Sequence, residues 1–223
     1  MPYKKSKKIL IYFFLFLLIG TFNNKNINNF NDLKINSIYV LGLSEKKNIE
    51  VQKSFEFLKF QNLFLLKKIQ IEKLLNSFNY IENYSVYKKF PSTLKVELNE
   101  TKYLVYVTKD NKNFYLGSNG KLIPTSYQKN NLPYIFGTLD TRKFFELKEI
   151  MDKFNFDFKK IKKLFFFPSG RWDLELNNGM MIKLSRDRLE ENFKLFLAIL
   201  KDENFKDISV IDMRQSDQVI INE

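Results

Sequence analysis

From Ile9 to Phe22 every position is apolar or small, ILIYFFLFLLIGTF, whereas beyond residue 34 apolar residues return at regular intervals. The first pattern predicts a helix apolar on all faces; the second predicts elements with one buried face each. Ile35 to Val40 predicts a short strand ending at Leu41-Gly42, and Ser44 offers a cap for a helix. On that helix Val51, Phe55 and Leu58 recur at i, i+4 and i+7, and a second helix carries Ile71, Leu74, Leu75 and Phe78. Two strands follow, Ile81 to Lys88 and Leu94 to Asn99, with Pro91-Ser92 turning between them. Leu94, Val96 and Leu98 alternate with Lys95, Glu97 and Asn99, the period of a half-buried strand.

From Tyr103 the pattern shifts to short strands: Tyr103 to Val107, Phe114 to Leu116, and Lys121 to Pro124 after Asn119-Gly120. A second Asn-Gly, at 178–179, joins Trp172, Leu174 and Leu176 to Met180, Ile182 and Leu184. Both predict hairpins closed by type I′ turns, which need positive φ at two central residues. One helix is expected with Phe144, Leu147, Met151 and Phe154 on a face, and another with Leu189, Phe193, Phe196, Leu197 and Leu200. Ile208 to Arg214, a turn at Gln215-Ser216-Asp217 and a last strand Gln218 to Asn222 complete the pattern.

Lys4, Lys5, Lys7 and Lys8 precede the N-terminal apolar run and Asn-rich sequence follows it. At about 1.5 Å per residue the 14 residues from Ile9 to Phe22 make about 21 Å of helix, short of the ~20 residues that span a bilayer comfortably. A cleaved signal peptide, an uncleaved signal anchor and a buried helix compete. The residues that close and follow the run, Thr21 to Asn26, lack the small-residue pattern of a cleavage site, which favours an anchor containing Ile9, Leu10, Phe13, Leu17 and Phe22. Four lysines before the run against Lys25 after it place the N-terminus inside and the remainder outside the cytoplasm.

The 223 residues contain no His and no Cys, which removes the commonest general base and metal ligand, thiol nucleophiles and disulfides. With no Gly-rich phosphate loop either, no catalytic constellation assembles, and neither cofactor nor small-molecule substrate is expected. Asp212 with Arg214 or Arg171 reads as structural pairing in a sheet. The net charge of +12 and pI of about 9.5 suit an anionic partner. Yet Lys is scattered among Glu and Asp, and the arginines (142, 171, 186, 188 and 214) sit apart, so no nucleic-acid site is expected.

The order strand, helix, helix, strand, strand is that of a POTRA domain. It carries Val40-Leu41-Gly42, Asn62-Leu63-Phe64-Leu65, Tyr80-Ile81 with Val86, Lys89-Phe90-Pro91 and a strand from Leu94 to Glu100. In that order and spacing these resemble the FtsQ (DivIB) family of division proteins. The later segments Leu132-Pro133-Tyr134-Ile135-Phe136-Gly137, Gly170-Arg171-Trp172-Asp173-Leu174-Glu175-Leu176 and Val210-Ile211-Asp212-Met213-Arg214 are similar to that family's outer β-domain. Tyr103 and Val105 stand where the family often has Pro and a small residue.

The resemblance implies an α+β protein: a cytoplasmic tail over 1–8, a transmembrane signal anchor over 9–25 and a linker over 26–32. A POTRA domain over 33–101 follows, then a β-domain over 102–223 with an extended, antiparallel-rich sheet and flanking helices. It further implies a non-catalytic divisome scaffold in the inner membrane, enriched at the septum, with its bulk in the periplasm. FtsB- and FtsL-like membrane-anchored proteins would bind along the last strand, and other divisome proteins through the POTRA domain. Arg171 and Arg214 are candidates for the rim of that surface, with Gln215, Ser216, Asp217, Val219, Ile220 and Ile221 on the edge itself. The rival readings are a POTRA protein of outer-membrane secretion or assembly and a basic nucleic-acid-binding protein of the cytoplasm.

Overall fold

The apolar N-terminal run forms a single helix, α1 (Ser6–Phe22). The structure, a computed structural model, describes residues 6–22, 33–126, 131–201, 208–215 and 218–222. At 17 residues α1 is about 25 Å long. It begins three residues before the uninterrupted run, so Lys7 and Lys8 lie in its first turn. No helix among the described residues is long and apolar enough to cross a membrane. From Ile9 to Ile19 the side chains of α1 are all exposed.

The chain divides into two compact units, residues 1–100 and 101–223. In the first, β1 (Ser37–Leu41), α2 (Glu45–Ser54), α3 (Lys68–Leu75), β2 (Ile81–Lys89) and β3 (Thr93–Glu100) follow in the expected order. The sheet runs β1-β3-β2, with β1 parallel and β2 antiparallel to the central strand. Leu94, Val96 and Leu98 bury one face of β3 beneath Val51, Phe55, Leu58, Ile71 and Leu75. Each fully buried aliphatic side chain contributes about 1.5–3 kcal/mol over its exposed state.

The helices of the first unit are shorter than the sequence pattern predicts, α3 closing at Leu75 before Phe78, and the cap of α2 is made differently. Ser44 occupies the N-cap position of α2 but makes no side-chain cap bond; the Asn48 amide instead bonds both the N–H and the carbonyl of Leu43, at 3.2 and 2.9 Å. The α-helix stops at Ser54, and Leu58 reaches the core from a 3₁₀ turn, Glu56–Leu58. That turn tightens the spacing without changing the buried face.

The second unit holds β4 (Tyr103–Lys109), β5 (Lys112–Gly117), β6 (Leu122–Pro124), β7 (Tyr134–Phe136), α4 (Thr141–Lys153), β8 (Ile161–Phe166), β9 (Trp172–Leu176), β10 (Met181–Leu184), α5 (Leu189–Ile199), β11 (Val210–Met213) and β12 (Ile220–Asn222). They form one nine-stranded sheet in the order β12-β11-β10-β9-β8-β7-β4-β5-β6. Five strand pairs are antiparallel; β4-β7, β7-β8 and β10-β11 are parallel. Ile135, Leu164, Leu174, Ile182, Ile211 and Ile221 stand side by side on six adjacent strands. This row belongs to one core with Phe144, Leu147 and Met151 of α4 and Phe193 and Phe196 of α5.

Neither Asn-Gly hairpin has the expected type I′ turn. Gly120 and Gly179 have φ of 74° and 90°, but Asn119 and Asn178 are not among the residues with positive φ. In each the glycine N–H donates 3.0 Å to the carbonyl three residues back. These are three-residue loops, a type I turn followed by one left-handed residue, and they need a single positive φ. The type I′ backbone occurs instead between β4 and β5, where Asp110 and Asn111 have φ of 49° and 56°. Both residue types tolerate that region without glycine.

Candidate partner-binding edge

The short strand β12 is the outermost of the large sheet, paired with β11 on one side and with no described strand on the other. Its register is Val210↔Asn222, Ile211↔Ile221 and Asp212↔Ile220. The expected strand over 218–222 is thus ordered as a strand only over its last three described residues. Alternation divides its side chains. Val219 and Ile221 pack on the core, whereas Ile220 is on the opposite face and 46% exposed. The Asn222 carbonyl accepts from Ser209 N at 2.9 Å, so Asn222 and, two residues back, Ile220 turn their backbone groups toward β11. Those of Ile221 therefore face the free side.

The row of residues through Ile220 is charged. Phe165, Asp173, Lys183, Asp212 and Ile220 are side by side on β8 to β12, on the face turned away from α4 and α5. Arg214 folds back on Asp212 in a forked contact, its Nε 2.8 and 2.9 Å from the two carboxylate oxygens and its Nη2 on Oδ2. The Arg214 backbone N–H also donates to Asp212 Oδ1 at 3.1 Å. These bonds hold the Asp212 carboxyl below the usual aspartate range. The Arg214 side chain remains 40% exposed, with room on its outer side for another group.

Arg171 approaches Asp173, 3.5 Å from Nε to Oδ1, with its guanidinium 3.9 Å over the Phe167 ring. That Nε and that oxygen are buried and complete no hydrogen bond. Burial pushes the Asp173 carboxyl up, against the pull of Arg171, Arg214 and Lys183 and with the push of Asp212. The sequence-derived pairs thus resolve as Arg171 with Asp173 and Arg214 with Asp212, two separate structural contacts.

Gln215 is exposed and its side-chain carbonyl accepts from Gln218. Ser216 and Asp217, also expected on the edge, lie outside the described residues, as do the side chains of Lys7 and of Phe22, the last of the expected anchor positions. Three residues of the site escaped the sequence reading. Asp173 and Lys183 become neighbours of Asp212 only through strand register. Asn192 is buried on α5, where it donates to Ser185 Oγ at 2.9 Å and to the Met213 carbonyl at 2.8 Å. A polar residue four positions before Phe196, on the apolar stripe, was its signal. Among the described residues no group of three or more His, Cys, Asp or Glu is placed to hold a metal ion.

A sequence model of the family "Cell division protein FtsQ/DivIB, C-terminal" matches residues 105–214. A second, "POTRA domain, FtsQ-type", matches residues 33–101. Among curated proteins nothing matches the sequence. Among solved structures, the major extracytoplasmic domain of the trans isomer of the bacterial cell division protein DivIB from Geobacillus stearothermophilus matches at 16% identity, with a TM-score of 0.34. That match covers 45% of this chain and 91% of the other. Two family-specific models in sequence, spanning both folded units, decide the matter: the chain belongs to the FtsQ/DivIB family of cell division proteins.

Proposed function

We propose that this protein is a non-catalytic divisome scaffold whose second unit captures an FtsB- or FtsL-like partner by strand addition at β12. The carrying observation is the free backbone edge of β12, on which Ile221 turns its N–H and carbonyl outward. Strand addition draws its affinity from such groups and its specificity from flanking side chains. Ile220 and the outer side of Arg214 supply an apolar contact and a cation next to that edge. In this reading Gln215, Ser216 and Asp217 lead into the contact, Arg171 buttresses the charged row, and the POTRA unit meets other division proteins.

The reading includes an anchor at α1. Its exposed apolar surface favours lipid, and a helix about 5 Å short of the ~30 Å hydrocarbon layer is accommodated by snorkelling lysines and local thinning. The two folded units then lie outside the cytoplasm, at the septum. The test is co-purification from membranes of the full-length chain with its FtsB- and FtsL-like proteins, beside a chain truncated after Gln218. Loss of the partner on truncation, with the protein still membrane-bound and folded, supports the reading. Undiminished capture contradicts it.

A further inference from the structure

The first unit exposes an apolar segment, running from the 3₁₀ turn into the start of α3, that its fold does not use. Phe57, Phe60, Phe64, Leu65 and Ile69 lie within 13 residues and are each 57–71% exposed, while Leu58, Leu63 and Leu66 between them are buried. Five such side chains on one short segment exceed the scattered apolar exposure of an ordinary surface. The fold holds them outward. Asn62 Oδ1 accepts from the N–H groups of Phe64 and Leu65, at 2.9 and 3.3 Å. Lys88 Nζ donates to the carbonyls of Phe64 and Leu66, at 3.2 and 2.8 Å. Phe60 has a φ of 69°, a left-handed conformation unusual for a bulky residue, and strain of this kind gathers at functional surfaces.

Position and charge identify the occupant. The segment is tied to the first described residues of the unit: Leu63 N donates to Leu33 O at 2.8 Å, Ile35 N to Gln61 O at 2.9 Å, and Phe60 N to Ile35 O at 3.0 Å. Ten residues separate Phe22 of α1 from Leu33, a reach of at most about 35 Å. Lys59, Lys67 and Lys68 lie within the segment in sequence, Lys34 is bridged to Asn62 of it, and Lys88 is bonded to its carbonyls. The acidic residues that flank the segment, Glu56 and Glu72, pair with Lys59 and Lys68 at 3.2 and 3.1 Å. An apolar centre with a lysine fringe is the pattern of a segment that rests in the interface of an anionic bilayer.

We propose that the segment over 57–69 docks on the membrane surface, with Phe60, Phe64 and Leu65 entering the interfacial layer and the lysines meeting anionic lipid headgroups. The proposal rests on α1 being the anchor. Docking fixes the first unit against the bilayer.

The test uses the full chain in bilayer nanodiscs containing phosphatidylglycerol brominated on its acyl chains. Trp172, the only native tryptophan, is buried in the second unit and supplies a constant background. A Phe64→Trp variant is compared with Lys46→Trp, an exposed position just beyond the far end of β1. The expected result is loss of most of the added emission at position 64, little loss at 46, and recovery of the emission at 64 after Lys67→Glu and Lys68→Glu. A disc-bound Phe64→Trp chain whose added emission is unquenched overturns the docking, as does protection of that added indole only when a partner protein is present. Quenching untouched by the two charge reversals overturns the headgroup contact. A chain not retained by the discs overturns the anchor reading itself, a separate failure.

Discussion

Asn192 Nδ2 on α5 donates to the main-chain carbonyl of Met213 at 2.8 Å, fastening the helix to the last residue of β11. Arg214 follows immediately, so this bond sets where the chain leaves the sheet before returning as β12. Asn192 is 3% exposed, and its loss leaves a buried carbonyl without its donor. Asn192→Ala is therefore expected to cost about 1–3 kcal/mol in urea unfolding of the full chain in detergent. A cost near zero would show that water replaces the amide.

The glycines of two family segments are required by close approach. A Cβ on Gly137, at φ 96°, would lie 2.1 Å from the Phe166 carbonyl oxygen, and one on Gly42, at φ 105°, 2.0 Å from that of Leu98. Gly179, at φ 90°, has nothing within 4 Å of the same position. Gly179→Ala should cost about 1–2 kcal/mol from backbone conformation alone. Gly137→Ala and Gly42→Ala should cost clearly more, because strands must also move apart. Equal thermal shifts for all three would contradict the steric account.

The β4-β5 turn is improvable. Asn111 has φ 56°, and glycine enters that region without the Cβ penalty. Asn111→Gly is expected to raise stability by about 0.5 kcal/mol, read as a higher melting temperature with unchanged circular dichroism. A lower melting temperature would show that the Asn side chain contributes more than the backbone relief.

The Asp212–Arg214 fork gives stability a defined pH dependence. Because the folded-state carboxyl is held below the ordinary value of about 3.9, its contribution is complete above that value and disappears as pH falls through the lower folded value. Asp212→Asn should cost about 1–2 kcal/mol at neutral pH, with the difference from wild type shrinking as pH falls below the ordinary carboxyl value. Asp173 acts with the opposite sign, its raised carboxyl being a cost that is relieved on acidification. Urea titrations at several pH values separate the two in the Asp212→Asn and Asp173→Asn variants.

Local periodicity carried most of the fold. The alternation of Leu94, Val96 and Leu98 and the helical spacing of Phe144, Leu147 and Met151 each marked a buried face, because burial on one side imposes the period of the element. Turn type was less legible: Asn-Gly marks a reversal, but loop length decides whether one or two residues need positive φ. The Asp110-Asn111 turn lacked glycine and left no comparable mark. The charged row of the site was invisible for a different reason. Asp173, Lys183 and Asp212 are brought together by an antiparallel and a parallel pairing, and parallel register across an intervening helix is not written in local spacing. The β-branched run Val219-Ile220-Ile221 foretold a strand, while its place at the end of the sheet depends on the global strand order.

The most direct measurement of the central claim compares partner affinity of the full-length Ile221→Pro and Ile220→Pro variants, each checked for folding by thermal unfolding. Ile221→Pro removes the backbone donor that faces the free side of β12 and leaves the β11 pairing whole, a change an edge strand accommodates. The account predicts a folded Ile221→Pro protein that no longer captures the FtsB- or FtsL-like partner, and an Ile220→Pro protein destabilised through the lost β11 bond. Wild-type affinity in folded Ile221→Pro would contradict strand addition at β12 and place the partner elsewhere.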